Sequence, residues 1–303
     1  MNVIETSGLG KRYGSTWALR ECTLSIPGGH VAALVGPNGA GKTTLLNLAV
    51  GLAAPSVGDV KVLGGLPAGS PGALDGIAFV AQDTPMYKNL SAADMLHLTR
   101  NLNRRFDQRY AEARLAELGI PLKRRAGRLS GGQQAQLALT LALARRPRLL
   151  VLDEPVAMLD PIARHDFMAT VLTAMADDGV SVVLSSHVLA ELERVADYLI
   201  LLSRGQVQLA GEVDELIASH RMLTGPAAEA DKYPGRPVVH FSRGEAQAHL
   251  LVRVGPDDPV PAGWEAHPVG MEELALAYLR EPGAPTRADS ARRQATQLSE
   301  VTK

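Results

Sequence analysis

The chain contains one cysteine, Cys22, in 303 residues. An internal disulfide and a cysteine-cluster metal centre are therefore excluded, and Cys22 is expected to be a small buried residue in a reducing compartment. A charge excess is also missing: 31 Lys and Arg stand against 32 Asp and Glu, a net charge of −1. No bulk field draws such a chain to nucleic acid or to an anionic membrane, so no nucleic-acid partner is expected. Long hydrophobic runs are absent as well. The most apolar stretches, residues 137–144 and 149–152, are separated by Arg145-Arg146-Pro147-Arg148, and neither approaches the ~20 apolar residues of a membrane helix. Residues 1–8 have neither the basic start nor the apolar stretch of an export signal. If a membrane is involved, another polypeptide is expected to cross it.

With 46% hydrophobic residues, the chain can build a large core, and its length suits one α/β domain plus an appendage. The most informative stretch is Gly36-Pro37-Asn38-Gly39-Ala40-Gly41-Lys42-Thr43-Thr44, which fits the phosphate-cradling pattern GxxxxGK[ST]. It follows Val31–Val35, an apolar run typical of a buried parallel strand, and precedes a helical reading from Thr43 to Val50. Glycines at 36, 39 and 41 are expected to free the backbone so that successive N–H groups converge on phosphate oxygens at a helix N-terminus. Lys42 would reach the β- and γ-phosphates, and the Thr43 hydroxyl would ligate Mg²⁺.

Strand and helix then alternate, which predicts a mostly parallel sheet covered on both faces. Residues 1–30 carry short strand-like pieces, broken by glycine and proline, that suggest a small antiparallel sheet. Ile77–Val80 is a second apolar strand, residues 91–146 read as a helical insert, and Leu149–Leu152 and Val180–Leu184 flank a helix from Pro161 to Met175. Tyr198–Leu202 and Val207–Leu209 form an expected hairpin. Composition shifts beyond residue 222, so the domains are placed at 1–222, with a small α+β unit at 223–280 and a disordered tail at 281–303. The small unit is expected to contain strands at 238–241 and 250–254. Its closing helix would bury Met271, Leu274, Ala275, Tyr278 and Leu279 on one face.

Two further motifs carry chemistry. Leu149-Leu-Val-Leu-Asp153-Glu154 ends an apolar strand in two carboxylates; Asp153 is expected to hold Mg²⁺ and Glu154 to orient and deprotonate an attacking water. Leu129-Ser130-Gly131-Gly132-Gln133 opens a helix with a hydroxyl and free N–H groups suited to an anion.

Together the phosphate loop, Leu129–Gln133 and Leu149–Pro155 make residues 1–220 resemble an ATP-binding-cassette ATPase. The resemblance implies that Gln82 touches Mg²⁺ and the attacking water, that His187 contacts the γ-phosphate, that Tyr13 stacks on adenine, and that Asp160 communicates across a dimer. It implies that Ser130, Gly131, Gly132 and Gln133 of one subunit close over ATP held by another, so a dimer is expected, of two copies or with a related subunit; Lys42, Glu154, Ser130 and His187 together in this chain favour a homodimer. It also implies a separately encoded transmembrane permease, with a groove around Met86, Tyr87 and Leu90 for that partner. The protein would then be cytoplasmic and peripheral on the membrane. The helix at 271–279 resembles that of drug- and antibiotic-exporting systems, which favours export; a soluble cassette ATPase acting on ribosomes or nucleic acid is the alternative. One departure from the pattern is Gln136, where many relatives carry arginine.

Overall fold

The computed structural model describes residues 1–157, 159–230, 238–255 and 258–280. The expected tail at 281–303 lies outside them. The chain opens with β1 (Asn2–Tyr13) and β2 (Thr16–Pro27), two 12-residue antiparallel strands where shorter pieces were expected. Repeated register shifts along the pair absorb the glycines and the polar interruptions without ending the strands. There follow β3 (Val31–Val35), α1 (Lys42–Ala49), β4 (Val57–Val62), β5 (Leu66–Pro67), α2 (Pro71–Gly76) and β6 (Ile77–Val80). The helical insert contains α3 (Ala92–Leu102), α4 (Gln108–Glu117) and α5 (Gly131–Ala144).

Next come β7 (Leu149–Asp153), α6 (Pro161–Asp178), β8 (Ser181–Ser186), α7 (Leu189–Leu192), β9 (Tyr198–Ser203) and β10 (Gln206–Glu212). The last elements are α8 (Val213–Ala218), β11 (His220–Pro226), β12 (Val238–Arg243), β13 (Gln247–Arg253), β14 (Glu265–His267) and α9 (Met271–Arg280). Local signals explain several boundaries. Ser91 and Asp94 form a capping box at the start of α3. Asp160 caps α6 ahead of Pro161, and Gly179 ends that helix in the left-handed region at φ 65°.

The central sheet runs β10-β9-β3-β8-β7-β6, parallel except for the β9–β10 hairpin. Its strands, apart from the edge strand β10, are largely buried on both faces, and β3 shows why an unbroken apolar run is required. Val31, Ala33 and Val35 enter the core shared with α5 and α6, whereas Ala32 and Leu34 enter the core under α1 and the N-terminal sheet β2-β1-β4-β5. The insert has its own core around Leu96, Leu115 and Leu137.

The third sheet, β12-β13-β11-β14, begins at His220, ahead of the boundary placed at 223. Val239, Leu251, Met271, Leu274 and Tyr278 join the same hydrophobic cluster as Val35, Leu184 and Phe167. The C-terminal unit therefore shares the main core, a relationship that a composition shift along the chain does not reveal.

Candidate functional site

The central sheet delivers the ends of β3, β7 and β8 to one edge. The loop from Gly36 to Gly41 turns β3 into α1 there, with Gly39 at φ 80° and Gly41, the residue capping α1, at φ 106°. L-residues rarely adopt these angles. Gly36 permits the backbone path by steric room rather than by a left-handed angle. It is not among the left-handed glycines, but a Cβ there would lie 2.1 Å from the Leu202 carbonyl oxygen, so glycine lets the loop pass β9.

Lys42 begins α1 and turns back into the loop. Its Nζ donates to the Gly36 carbonyl at 2.7 Å and lies 3.2 Å from Glu154 Oε1. Both side chains are 7% exposed, so each neutralises the other's charge out of water. Glu154 Oε2 is 2.7 Å from His187 Nδ1. Glu154 itself sits at φ 48°, just beyond the end of β7.

Ser185 was not singled out in the sequence, although it organises this turn. Register pairs it with Asp153 across β7 and β8. Its Oγ donates to Asp153 Oδ1 at 2.6 Å and accepts the Glu154 backbone N–H at 2.8 Å. The only signal was a small hydroxyl residue closing an apolar strand, which becomes specific once the strands are paired.

A cavity of about 510 Å³ opens beside the loop, lined by Pro37 to Thr44 together with Tyr13, Gln82, Glu154 and His187. Ala18, also on the lining, was missed by sequence reading. Tyr13 is half exposed at the end of β1, with Lys11 Nζ 5.1 Å from its ring centroid. Gln82 follows β6 in an exposed turn. Asp153 is buried and does not line the cavity. The donor set fits a polyphosphate with a divalent cation: a helix N-terminus, glycines whose missing Cβ atoms leave the N–H groups approachable, one lysine and the Glu154 carboxylate, with the buried Asp153 behind it.

Ser130, Gly131, Gly132, Gln133 and Asp160 stand apart from this cavity. Ser130 caps α5 in a reciprocal box, its Oγ accepting the Gln133 N–H while Gln133 Oε1 accepts the Ser130 N–H. Asp160 Oδ1 accepts the N–H groups of Ile162 and Ala163. The two helix starts meet, because a Cβ on Gly132 would approach Ala163 Cβ to 2.9 Å. Nearby, the departure at Gln136 is met from α4: Arg114 donates to the Gln136 side chain at 3.3 Å and also to Thr170 on α6.

A second cavity, about 370 Å³ and mainly apolar, opens between β6 and the insert, with Phe79, Met86, Met95 and Leu141 in its wall. Leu90 packs into the insert core, and Tyr87 is 67% exposed. No helix among the described residues is long and apolar enough to cross a membrane.

The family model described as "ABC transporter" matches residues 19–157. An iron(III) import ATP-binding protein of Pseudomonas fluorescens is 36% identical over 71% of this chain, which spans 63% of that relative's length. A lantibiotic transport ATP-binding protein of Streptococcus pyogenes is 32% identical, with 70% of this chain and 92% of the relative covered. A Nod factor export ATP-binding protein of Sinorhizobium fredii is 31% identical, with 82% of this chain and 79% of the relative covered. Among solved structures, a dimeric bacterial ABC transporter cassette is 25% identical with TM-score 0.62, covering 69% of this chain and 98% of its own.

Proposed function

Because the chain belongs to the ATP-binding-cassette ATPases of ABC transporters, we propose that it binds ATP with Mg²⁺, closes on a second copy of itself, and hydrolyses the nucleotide to drive a separately encoded permease. The observation that carries this reading is the convergence of Lys42, Glu154, His187 and Gln82 on one glycine-lined cavity, while the start of α5 at Ser130–Gln133 forms a second anion-suited edge elsewhere, beside the Asp160 cap of α6. One copy thus holds two half-sites that do not meet, and pairing two copies head to tail completes both.

Within each site, backbone N–H groups of the loop and Lys42 bind the phosphates, and Tyr13 stacks on the base. Thr43 and Gln82, with the buried Asp153 acting through water, would hold the cation, which when bound would neutralise charge on the phosphates. Glu154 takes a proton from the attacking water. Its carboxylate is aimed by His187 at one oxygen and held by Lys42 at the other until phosphate takes the lysine. Ser185 fixes the turn carrying both carboxylates.

The apolar cleft beside Met86 suits an amphipathic segment of the permease, which would place the protein on the cytoplasmic face of the membrane. Relatives are named for both import and export. Export is the direction proposed, on the resemblance of the closing helix α9.

The test is association state by light scattering with Mg²⁺ and a non-cleavable ATP analogue. Dimers in the wild type and monomers after Ser130→Arg are expected. A wild type that stays monomeric alone and with its permease overturns the proposal.

A further inference from the structure

His187 leaves the end of β8, and α7 begins two residues later. Among the described residues, the polar contacts of this segment include His187 Nδ1 with Glu154 Oε2 at 2.7 Å and Ser186 Oγ, which accepts the Val188 N–H at 3.0 Å. It also has an apolar hold. Leu189 and Leu192, 7% and 1% exposed, lie in one cluster with Val269, Met271, Leu274, Ala275 and Tyr278. α7 packs directly on α9, and a Cβ on Gly270 would stand 3.5 Å from Glu193 Oε1.

α9 is pinned in turn by a buried polar chain. His220 Nδ1–H donates to the Leu216 carbonyl at 2.7 Å, which leaves Nε2 to accept the Tyr278 hydroxyl at 2.9 Å. Arg253 donates to the same hydroxyl oxygen at 3.0 Å. One helix therefore joins the third sheet to the segment that starts at His187.

We infer that α9 is a positioning element for hydrolysis. Leu274 and Tyr278 hold α7, and α7 holds the His187 imidazole against Glu154. The C-terminal unit then governs turnover while leaving nucleotide capture, which depends on the Gly36–Thr44 loop, unchanged. A packed core transmits this constraint because it has few voids in which α7 can drift. Small displacements of an orienting group lower the rate without changing ground-state binding. The inference rests on the assignment of His187 to the hydrolytic site.

The experiment uses the full chain with Leu274→Val and, as a milder change that keeps the helix volume, Tyr278→Phe. For either folded variant, kcat is expected to fall about tenfold with KM for ATP within about twofold of wild type. Hydrogen exchange is expected to quicken at 187–192 and to stay unchanged at 36–44. In a His187→Ala background, Leu274→Val is expected to add no further loss of single-turnover hydrolysis, which a general weakening of the fold does not produce. Wild-type kcat in both folded variants overturns the inference, as does unchanged exchange at 187–192 or an equal proportional loss in the two backgrounds. Full turnover in His187→Ala alone instead overturns the site assignment beneath it.

Discussion

Lys42 Nζ lies 3.2 Å from Glu154 Oε1, and both side chains are 7% exposed. The lysine proposed to meet phosphate and the carboxylate proposed to meet water therefore hold each other in a buried contact. On the proposed reading, a phosphate that takes Lys42 would compete with Glu154 for it, so nucleotide binding would also free the carboxylate. Breaking such a pair on one side only is costly, because the remaining charge stays buried without a partner.

Glu154→Gln keeps the shape of the side chain and removes its basicity. Hydrolysis is expected to fall by about 10²-fold or more. Nucleotide affinity is expected to hold or rise, since a negative charge leaves the phosphate cavity. Paired measurements of turnover and equilibrium binding check this; turnover near wild type refutes the role of Glu154.

Lys42→Ala is expected to fail one stage earlier. Loss of a charged donor weakens ATP binding by about ten- to a hundredfold. Calorimetric titration of a variant whose circular dichroism is native gives the answer, and unchanged affinity contradicts the phosphate-loop assignment.

Gly36 and Gly39 are expected to differ when each becomes alanine. At Gly36 the new Cβ meets the Leu202 carbonyl at 2.1 Å, whereas at Gly39 it meets nothing within 4 Å but inherits φ 80°. Strain of the second kind costs about 1–2 kcal/mol, while a clash with β9 backbone forces the loop itself to move. Urea unfolding should rank Gly36→Ala as the more damaged; the reverse order contradicts the packing account.

Ser185→Ala removes the donor to Asp153 and the acceptor of the Glu154 N–H. With two buried groups left short of a partner, a stability loss of about 1–3 kcal/mol is expected, together with slower hydrolysis. Chemical denaturation and steady-state turnover measure the two effects, and neutrality in both removes Ser185 from the site.

Burial pushes the His220 imidazole down from 6.5 to about 4, so the folded protein binds fewer protons than the unfolded chain between those values. Stability is then full above pH 6.5, falls as the pH drops towards 4, and loses about 3 kcal/mol to this one group. Unfolding free energies across that range, compared with His220→Gln, isolate the effect. Parallel pH profiles for the two proteins contradict it.

Much of this protein is legible in one dimension because the signals are local. Ile77–Val80 is the strand expected, and Asp160-Pro161 marks the start of α6. The loop between β3 and α1 carries its chemistry in consecutive residues. Gln82 and His187 were placed through resemblance, and the structure brings them to the same cavity as Lys42. Ser185 escaped notice because its meaning comes from the residue beside it on β7, far away in sequence.

Sequence alone determined the phosphate loop, the carboxylate pair and the alternation that builds a parallel sheet. Each depends on neighbours along the chain, where periodicity and turn chemistry act. Tertiary structure alone decided that Lys42 would face Glu154, that Gly36 exists for β9, and that α9 shares its core with the segment following His187. Those contacts join residues far apart in the chain, and close packing fixes which distant groups meet only when the whole core has formed.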